Sequence, residues 1–415
     1  MPFLKHDRIT PAQVVILGFL FQILIGACLL SLPVATQSGE RVPFLDALFT
    51  ATSATCVTGL VIHDTALFWS PFGQGVILLL IQVGGMGVVT MAVAIFMFSG
   101  RKIGLKQRWV MQESISAPQV GGIVRMTGFI LKTAFLIEAI GALLLALRFC
   151  PQFGLGKGIW YGIFHAVSAF CNAGFDLMGE TGAFSSLTGY VGDPLVNLVI
   201  CLLIVVGGLG FLTWHDVAAH GRHVSQYRLQ SKLILLTTLA LLVGGFLFFR
   251  FYEFSRPQWA ALTGGERGLA ALFQSVSPRT AGFNTVDLTQ LSACSQLMTI
   301  LLMLAGGSPG STAGGFKTTT LAVLLLSVGA VIRRQGSARC FGRRLPDQVL
   351  RNACAIFLLY LVLFLAGGML ICCMDEIPLM QALFEAASAI GTVGLSLGAT
   401  AEASEASRLI LIFLM

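Results

Sequence analysis

Four glycines, spread at nearly even distances along the chain, mark places where backbone carbonyl groups could do chemistry. Gly59, Gly174, Gly282 and Gly394 lie 115, 108 and 112 positions apart, and a bulky apolar residue follows each of them. Glycine permits the unusual dihedral angles that aim consecutive carbonyls at one line. Rings of such carbonyls replace the hydration shell of a cation in ion-selective pores. The four glycines therefore predict a cation filter built from backbone oxygen atoms.

The sequence around each glycine is itself repeated. A phenylalanine precedes a serine by four positions, and the serine precedes the glycine by six, six, five and six positions in successive copies. Because four such matches recur at a near-constant period, we interpret them as copies of one structural unit. The copies are ALFTATSATCVTGL at 47–60, GIFHAVSAFCNAGF at 162–175, ALFQSVSPRTAGF at 271–283 and ALFEAASAIGTVGL at 382–395.

The candidate filter consists of the last four residues of each copy. A short helix that ends just before them would direct the negative end of its dipole toward a cation on the axis. One such glycine alone is typical of an ordinary turn, and the four equivalent positions together favour a filter. The predicted potassium-binding filter residues are Val57, Thr58, Gly59 and Leu60, then Asn172, Ala173, Gly174 and Phe175, then Thr280, Ala281, Gly282 and Phe283, and finally Thr392, Val393, Gly394 and Leu395.

The sequence that must position these residues is that of a membrane protein. Hydrophobic residues make up 56% of the chain and charged residues 11%, whereas soluble domains carry about 25% charged residues. Runs of about 20 apolar residues recur, which is long enough to cross a bilayer, and no cleavable signal peptide is evident. The predicted spans are 14–34, 76–98, 127–147, 195–213, 233–251, an interrupted span at 297–331, 353–373 and the partial span 409–415.

Each repeated segment lies between two spans and is too short to cross the bilayer. The first predicted pore helix, 42–55, would be about 21 Å long at 1.5 Å per residue. Irregular backbone at membrane depth must face protein or water, so four re-entrant loops would converge on one aqueous axis. We therefore predict an all-α polytopic membrane protein with four span–pore-helix–span repeats in a pseudo-fourfold arrangement around a central pore. The predicted repeats are 1–100, 101–220, 221–335 and 336–415, the third with an intramembrane loop at 305–315 and the fourth with an incomplete final span.

The formal charge of +7 does not indicate nucleic-acid binding, because the basic residues are grouped between spans. By the positive-inside rule these groups are cytoplasmic, which places both termini inside. Twelve of the 19 acidic residues fall in the alternate, outward segments, where they would favour cations at the outer mouth. The Arg333–Arg344 cluster also suits anionic lipid or a cytoplasmic partner. The basic groups are Lys5 and Arg8, five residues from Arg101 to Arg125, three from Arg222 to Lys232 and six from Arg333 to Arg351.

An intramembrane enzyme has little support in the sequence. The ten cysteines are scattered and form no CxxC pair, which favours packing over disulfides or a metal site. His165 is the only histidine in a pore segment, and no nucleophile, carboxylate pair or metal cluster accompanies it. We predict no enzymatic activity and no cofactor in this chain.

A glycine-rich stretch, GGSPGSTAGGFKTTT at 306–320, interrupts the second span of the third repeat. Five glycines make alternative conformations accessible, and its hydroxyl side chains keep it wettable. Two other interpretations are close helix packing and a nucleotide-binding loop, but Phe316 separates the last glycine from Lys317 and no strand precedes it. Lys317 at membrane depth either repels a cation or pairs with a loop carbonyl. The candidate gate residues are Gly306, Gly307, Ser308, Pro309, Gly310, Ser311, Thr312, Gly314, Gly315 and Lys317.

The four pore segments together with 306–320 resemble the Trk/Ktr/HKT superfamily of potassium transporters, and the chain looks most like the KtrB-type membrane subunit. The resemblance covers essentially the whole chain. It implies one pore per subunit, a homodimer in the bacterial inner membrane, and gating by a cytoplasmic nucleotide-binding ring with regulator-of-conductance domains. It also implies that the loop at 305–315 gates the pore, that sodium stimulates uptake, and that glycine at all four filter positions, Gly59 included, selects potassium.

The resemblance further implies an arginine in the second span of the fourth repeat, near the pore. The sequence reaches Met415 before that position, and Arg408 lies too near the outer end, so no residue is assigned. The alternative function is a coupled secondary transporter of another small cation or solute with a midplane site, which broken helices also serve.

Three further residues have predicted roles. Asn172 holds its filter strand through its side chain, and Arg279 faces away from the axis and pairs with a carboxylate such as Asp287. For Glu138, a pair with Lys132 and a role in the ion path both stay open.

Overall fold

The chain was analysed as a computed structural model that describes residues 10–87, 90–91, 109–112, 122–335 and 337–415. Three sequence predictions fall outside these residues in whole or in part. They are the N-terminal basic pair Lys5 and Arg8, the basic residues at 101–108, and the last part of the second predicted span, at 92–98.

The described chain is helical apart from one small hairpin, and its helices follow the order expected from the repeats. The first repeat contains α1 (Pro11–Leu30), α2 (Phe44–Thr55), α3 (Thr65–Phe68) and α4 (Pro71–Met86). The second contains α5 (Ile123–Phe153), α6 (Leu155–Phe170), α7 (Pro194–Gly208) and α8 (Phe211–His220). The third contains α9 (Leu229–Phe248) with a π-helical turn (Phe249–Glu253), α10 (Gly264–Val276), α11 (Ala293–Leu304) and α12 (Thr318–Ile332). The hairpin strands β1 (Arg339–Cys340) and β2 (Arg343–Arg344) precede α13 (Asp347–Asp375), α14 (Leu379–Ile390), α15 (Ala399–Glu402) and α16 (Glu405–Leu414).

Four helices of the described chain are long and apolar enough to cross a membrane, one in each repeat. They are Ala12–Leu30, Ile123–Phe153, Leu229–Glu253 and Asp347–Asp375. Apolar side chains on these helices are exposed, for example Phe21, Leu147 and Leu359 at 66, 64 and 62%. Such faces suit contact with lipid chains. The prediction of an all-helical, multi-pass membrane protein is confirmed, whereas the residue boundaries of the repeats stay a prediction.

In the first two repeats the second span is not the continuous helix that the sequence predicted. In the second repeat the predicted span 195–213 is broken, because α7 and α8 are bent by 97° at their junction. Gly210 lies there with a φ of 90°, which ends the helical path. In the first repeat α4 stops at Met86, followed by Gly87 with a φ of 83°. In the third repeat the glycine-rich stretch separates α11 from α12, as predicted.

In every repeat, the helix that begins the second span, after the pore helix, starts at a side-chain cap. The caps accept hydrogen bonds from first-turn N–H groups, which have no partner inside a helix. The four capping residues, for α4, α7, α11 and α16, are Ser70, Asp193, Ser292 and Ser404. Because each helix follows the segment that leaves a pore helix, the caps fix where that segment ends.

The short helices α2, α6, α10 and α14 lie at the centre of the fold. Each places one phenylalanine in the core, and Phe49, Phe164, Phe273 and Phe384 are at most 1% exposed. Glycines on the second-span helices α4 and α7 let these helices approach the C-terminal ends of the short helices α2 and α6 closely. A Cβ on Gly84 would lie 2.0 Å from the Thr55 carbonyl oxygen, and one on Gly207 equally close to that of Phe170. Contact at this distance is possible only with glycine.

Candidate cation filter and the loop beneath it

The four repeated glycines form a closed ring. In each strand the glycine Cα faces the carbonyl oxygen of the residue that precedes the next repeated glycine, and the fourth strand faces the first. A Cβ built on the glycine would lie 2.3, 2.8, 2.4 and 2.4 Å from that oxygen for the pairs Gly59–Ala173, Gly174–Ala281, Gly282–Val393 and Gly394–Thr58. The ring order therefore follows the chain order, and the strands enclose one common axis.

Alternating backbone conformations orient the carbonyls of each strand. The glycines have φ values of 88, 72, 82 and 93°, and the residues two positions earlier are also in the left-handed region, while the residue between them is not. A strand that alternates in this way turns successive carbonyls to the same side. Positive φ at a residue other than glycine costs about 1–3 kcal/mol and gathers at functional sites. These strained residues are Val57, Asn172, Thr280 and Thr392, with φ values of 58, 60, 72 and 47°.

The repeated serine holds each strand in this conformation through its backbone. Its carbonyl accepts the N–H of the residue before the glycine, at 2.7, 2.7, 2.9 and 2.8 Å in successive repeats. The third repeat makes the same bond with one residue fewer, which explains its shorter spacing. The acceptors and donors are Ser53 and Thr58, Ser168 and Ala173, Ser277 and Ala281, and Ser388 and Val393.

The serine hydroxyls are fully buried and bind the strand beyond the glycine. Ser53 and Ser168 donate to the carbonyls of Leu60 and Phe175, both at 2.7 Å, and Ser277 donates to Phe283. In the fourth repeat the Ser388 hydroxyl instead accepts the Gly394 N–H at 3.0 Å. The sequence showed the spacing of this serine but not its role as a brace.

A second polar residue in each pore helix was missed by the sequence reasoning, although it directly follows each buried phenylalanine. The four are Thr50, His165, Gln274 and Glu385. His165 lies 2.7 Å from the Tyr161 carbonyl through Nδ1, and its Nε2 accepts the Leu177 N–H at 3.3 Å. Glu385 accepts from Ser396 Oγ at 2.7 Å and from the Leu397 N–H at 2.9 Å. These two side chains hold the segments that leave the filter.

A cavity of about 360 Å³ opens on one side of the ring and is lined by all four glycines. Each repeat contributes one carboxylate to it, namely Asp64, Asp176, Asp287 and Glu402. Burial and, to a lesser extent, the neighbouring Asp64 carboxylate raise the pKa of Asp176 to about 7. The predicted outward segments thus bring four carboxylates together in one cavity at one end of the ring, and their potential attracts cations.

The glycine-rich loop, 305–315, lies on the side of the ring opposite the cavity and contacts the second and fourth repeats. Thr312 Oγ1 donates to the Phe170 carbonyl, at the end of the second pore helix, at 3.0 Å. A Cβ on Gly314 would lie 1.8 Å from Thr392 Oγ1 in the fourth filter strand. The second and fourth repeats lie diagonally in a ring that follows chain order, so the loop contacts the ring at two diagonally opposite places.

The bend between α7 and α8 holds the loop. The carbonyls of Gly208 and Gly207 accept the N–H groups of Ser308 at 3.1 Å and Thr312 at 3.3 Å. In return, the Phe211 N–H at the start of α8 donates to the Gly310 carbonyl at 2.7 Å. A broken helix exposes backbone groups of this kind, so the break in the second repeat supplies the binding partners of the loop.

Lys317 follows the loop and bonds back to it. Its Nζ donates to the carbonyls of Ala313 at 2.9 Å and Gly314 at 3.1 Å. Of the two roles considered from the sequence, the geometry matches pairing with loop carbonyls. The remaining loop residues, Gly306, Gly307, Pro309, Ser311 and Gly315, lie between α11 and α12 in the same turn.

Asn172 joins two filter strands, as its predicted role required. With its amide oriented to satisfy both ends, its oxygen accepts from Thr280 Oγ1 at 3.1 Å, and its nitrogen donates to the Ala169 and Ile204 carbonyls at 3.2 Å. The second and third strands are thereby linked through their strained residues.

The predicted pairing of Arg279 with a carboxylate such as Asp287 is wrong, and of the two roles left open for Glu138 the pair with Lys132 is not formed. Asp287 lines the cavity and bonds to Thr289 and Gln290, whereas Arg279 donates to the Gly306 carbonyl of the loop, on the opposite side of the ring. Glu138 accepts from Gln82 Nε2 at 3.0 Å, while Lys132 is exposed. Residues six positions apart in a helix do not share a face.

The first and last repeats are joined by an ion pair that the sequence did not predict. Arg408 Nη1 in α16 lies 2.7 Å from Asp46 Oδ1 in α2, and His63 Nε2 lies 3.0 Å from Asp46 Oδ2. Asp46 is 7% exposed. The pair closes the ring of repeats at the point where the chain itself does not connect them.

Comparisons with known proteins agree with this architecture. Residues 11–415 match the family described as TrkH, cation transport protein. The potassium/sodium uptake protein NtpJ of Enterococcus hirae is 40% identical over 414 residues, which cover 99% of this chain and 90% of that protein. The Ktr system potassium uptake protein B of Bacillus subtilis is also 40% identical, over 99% of this chain and 91% of its own length.

A solved structure shows the same fold. The crystal structure of the potassium transporter TrkH from Vibrio parahaemolyticus matches with a TM-score of 0.74 at 20% identity, and the match covers 100% of this chain and 84% of that one. Helix order, filter ring and family match together lead to one conclusion: the chain belongs to the TrkH family of cation transport proteins.

Proposed function

We propose that this chain moves K+ across the bacterial inner membrane through the ring of filter strands. The observation that carries the proposal is the closed ring in which each glycine faces the carbonyl before the next. Carbonyl rings are the structures that replace the water around a dehydrated K+ ion. The relatives named as potassium uptake proteins, at 40% identity over nearly the whole chain, support the same ion.

The path of the ion follows from the charges and dipoles along the axis. Cations gather in the outer cavity, where four carboxylates lower their potential energy. They enter the strands, where the serine hydroxyls keep the carbonyls in place against the repulsion between neighbouring oxygens. Beyond the filter, the C-terminal ends of the four pore helices supply partial negative charge to the ion.

The loop at 305–315 is the gate of this path. Support comes from its contacts with the second and fourth repeats at diagonal positions and from its hydrogen bonds to the bend of α7 and α8. In the closed state Lys317 occupies two loop carbonyls that would otherwise be free to contact a cation. Opening requires the loop to release the backbone bonds to Gly207, Gly208 and Phe211.

The proposed assembly is a homodimer with a cytoplasmic nucleotide-binding regulatory ring, and both termini are cytoplasmic. Sodium stimulates uptake, a role supported by the relative named as a potassium/sodium uptake protein. A coupled transporter of another small cation or solute is the weaker alternative, since it does not require four strands around a common axis.

Uptake of rubidium or potassium by a potassium-auxotrophic strain tests the proposal, with and without the cytoplasmic partner. We expect uptake above that of an empty vector, and no uptake would reject potassium translocation. Deletion of 308–314 should raise the flux by removing the obstruction, and an unaltered flux would reject the gate. Lys157→Gln is the matched control, because its pair with Glu180 is exposed at the outer surface.

A further inference from the structure

Arg279 is a buried cation with very little compensation. It is 8% exposed and directly precedes Thr280 in the third filter strand. Its one hydrogen bond runs from Nη2 to the Gly306 carbonyl at 3.5 Å, and Nε has no partner. Within the residues that the structure describes, it forms no ion pair. Burial of a charge in this way costs free energy, and charged groups kept at membrane depth mark functional positions.

Arg279 borders a small void where the third filter strand, the loop and the helix bend meet. The void measures about 10 Å³, roughly one water molecule. Gly307 of the loop and Gly208 at the helix bend line it. Thr238 of α9 also lines it, and its hydroxyl has no hydrogen-bond partner among the described residues. Arg279 therefore connects the third filter strand, the start of the loop and the bend that holds the loop.

We propose that Arg279 is a positioning residue that ties the first carbonyl of the loop to the third filter strand and so keeps the loop across the pore. Lys317 holds the loop at its other end through the carbonyls of Ala313 and Gly314. The two cations together occupy carbonyls at both ends of the loop. The role of the loop as a gate rests on the proposed function, whereas the tether between Arg279 and the loop does not.

The effect of replacement on the free energy of unfolding separates this role from a purely structural one. When a residue stabilises the fold, its replacement lowers the stability of the protein. A poorly compensated buried charge does the opposite, since a neutral side chain of similar size removes the desolvation cost. Replacement of Arg279 by a neutral residue should therefore loosen the loop while the melting temperature stays the same or rises.

Hydrogen exchange of the full chain in lipid nanodiscs, followed by mass spectrometry, tests the tether without any transport measurement. In Arg279→Gln we expect about three- to tenfold faster exchange in peptides that cover 305–318, as for the loss of one weak charged hydrogen bond. Peptides of α10 should not change. Arg279→Lys keeps the charge and should restore most of the protection. Arg267→Gln, which removes a half-buried arginine bound to the Leu262 carbonyl at the start of α10, is the matched control.

Unchanged exchange in the loop would overturn the proposal. Arg279→Met is the second neutral variant, and a melting temperature reduced by several degrees in both neutral variants, or failure of both to fold, would assign Arg279 a structural role instead. If loop exchange rises as expected but the wild-type chain shows no potassium uptake, the tether stands and the proposed function fails.

Discussion

Gly59→Ser is the substitution that most directly tests the filter ring. The new Cβ would lie 2.3 Å from the Ala173 carbonyl oxygen, while real Cβ atoms essentially never approach closer than 3.0 Å. The carbonyl or the strand must therefore move by about 0.7 Å. In addition, the φ of 88° is unfavourable for any side chain and costs about 1–2 kcal/mol.

A shift of this size changes the distance between the carbonyl and the ion rather than the fold. The displaced oxygen no longer fits K+ better than the smaller Na+. A loss of about 1.4 kcal/mol in relative stabilisation corresponds to a tenfold decrease in preference. We expect the K+ over Na+ uptake ratio of Gly59→Ser to decrease about tenfold.

The assay is paired K+ and Na+ uptake into vesicles, normalised to the amount of folded protein from size-exclusion chromatography. Gly39→Ser is the matched control, because Gly39 also has a positive φ, 73°, but no atom lies within 4 Å of its added Cβ. It should retain the wild-type ratio. A Gly59→Ser protein that folds and keeps the wild-type ratio would refute the assignment of Gly59 to a selective filter.

Two further predictions concern the charges around the ring. Asp46→Asn leaves the half-buried Arg408 guanidinium without its partner and should lower the melting temperature by roughly 5 °C, with partial recovery in the double variant with Arg408→Met. Equal melting of all three proteins would contradict the ring closure. Because the pKa of Asp176 is raised to about 7, this carboxyl is protonated at lower pH and the outer cavity loses a negative charge. The KM for K+ should therefore rise about threefold between pH 8 and pH 6, and Asp176→Asn should abolish that change; a variant with the same pH profile as wild type would assign the titration to another group.

Features carried by short stretches of sequence were predictable. The four glycines, the serines before them and the apolar runs on either side predicted the helical membrane fold, which is confirmed. They also predicted a cation filter, which stays a prediction, at strands that meet in one ring. Five glycines and Pro309 within eleven residues predicted that the third repeat's second span is interrupted. In each case the cause is local, since backbone freedom and hydrophobic length depend on the residues at that place in the chain.

Other features have local causes that the residue types conceal. Val57, Thr280 and Thr392 are β-branched, and nothing in such residues indicates a positive φ, which the serine braces and the neighbouring strands impose. The bend at Gly210 lay inside an apolar run that predicted a continuous span. There the backbone bonds to the loop compensate for the break.

Partners far apart in sequence were decided by the tertiary structure alone. Arg279 was assigned to Asp287 because the two are near in sequence, yet the filter strand between them places them on opposite sides of the ring. Asp46 and Arg408 are separated by 362 positions, and their pairing depends on how four repeats close around an axis. The sequence by itself determined where the flexible glycines, the apolar runs and the charged side chains lie along the chain. Which of these residues are in contact was determined by tertiary packing. Residues far apart in sequence interact only when the helices between them are packed so that their side chains come close together.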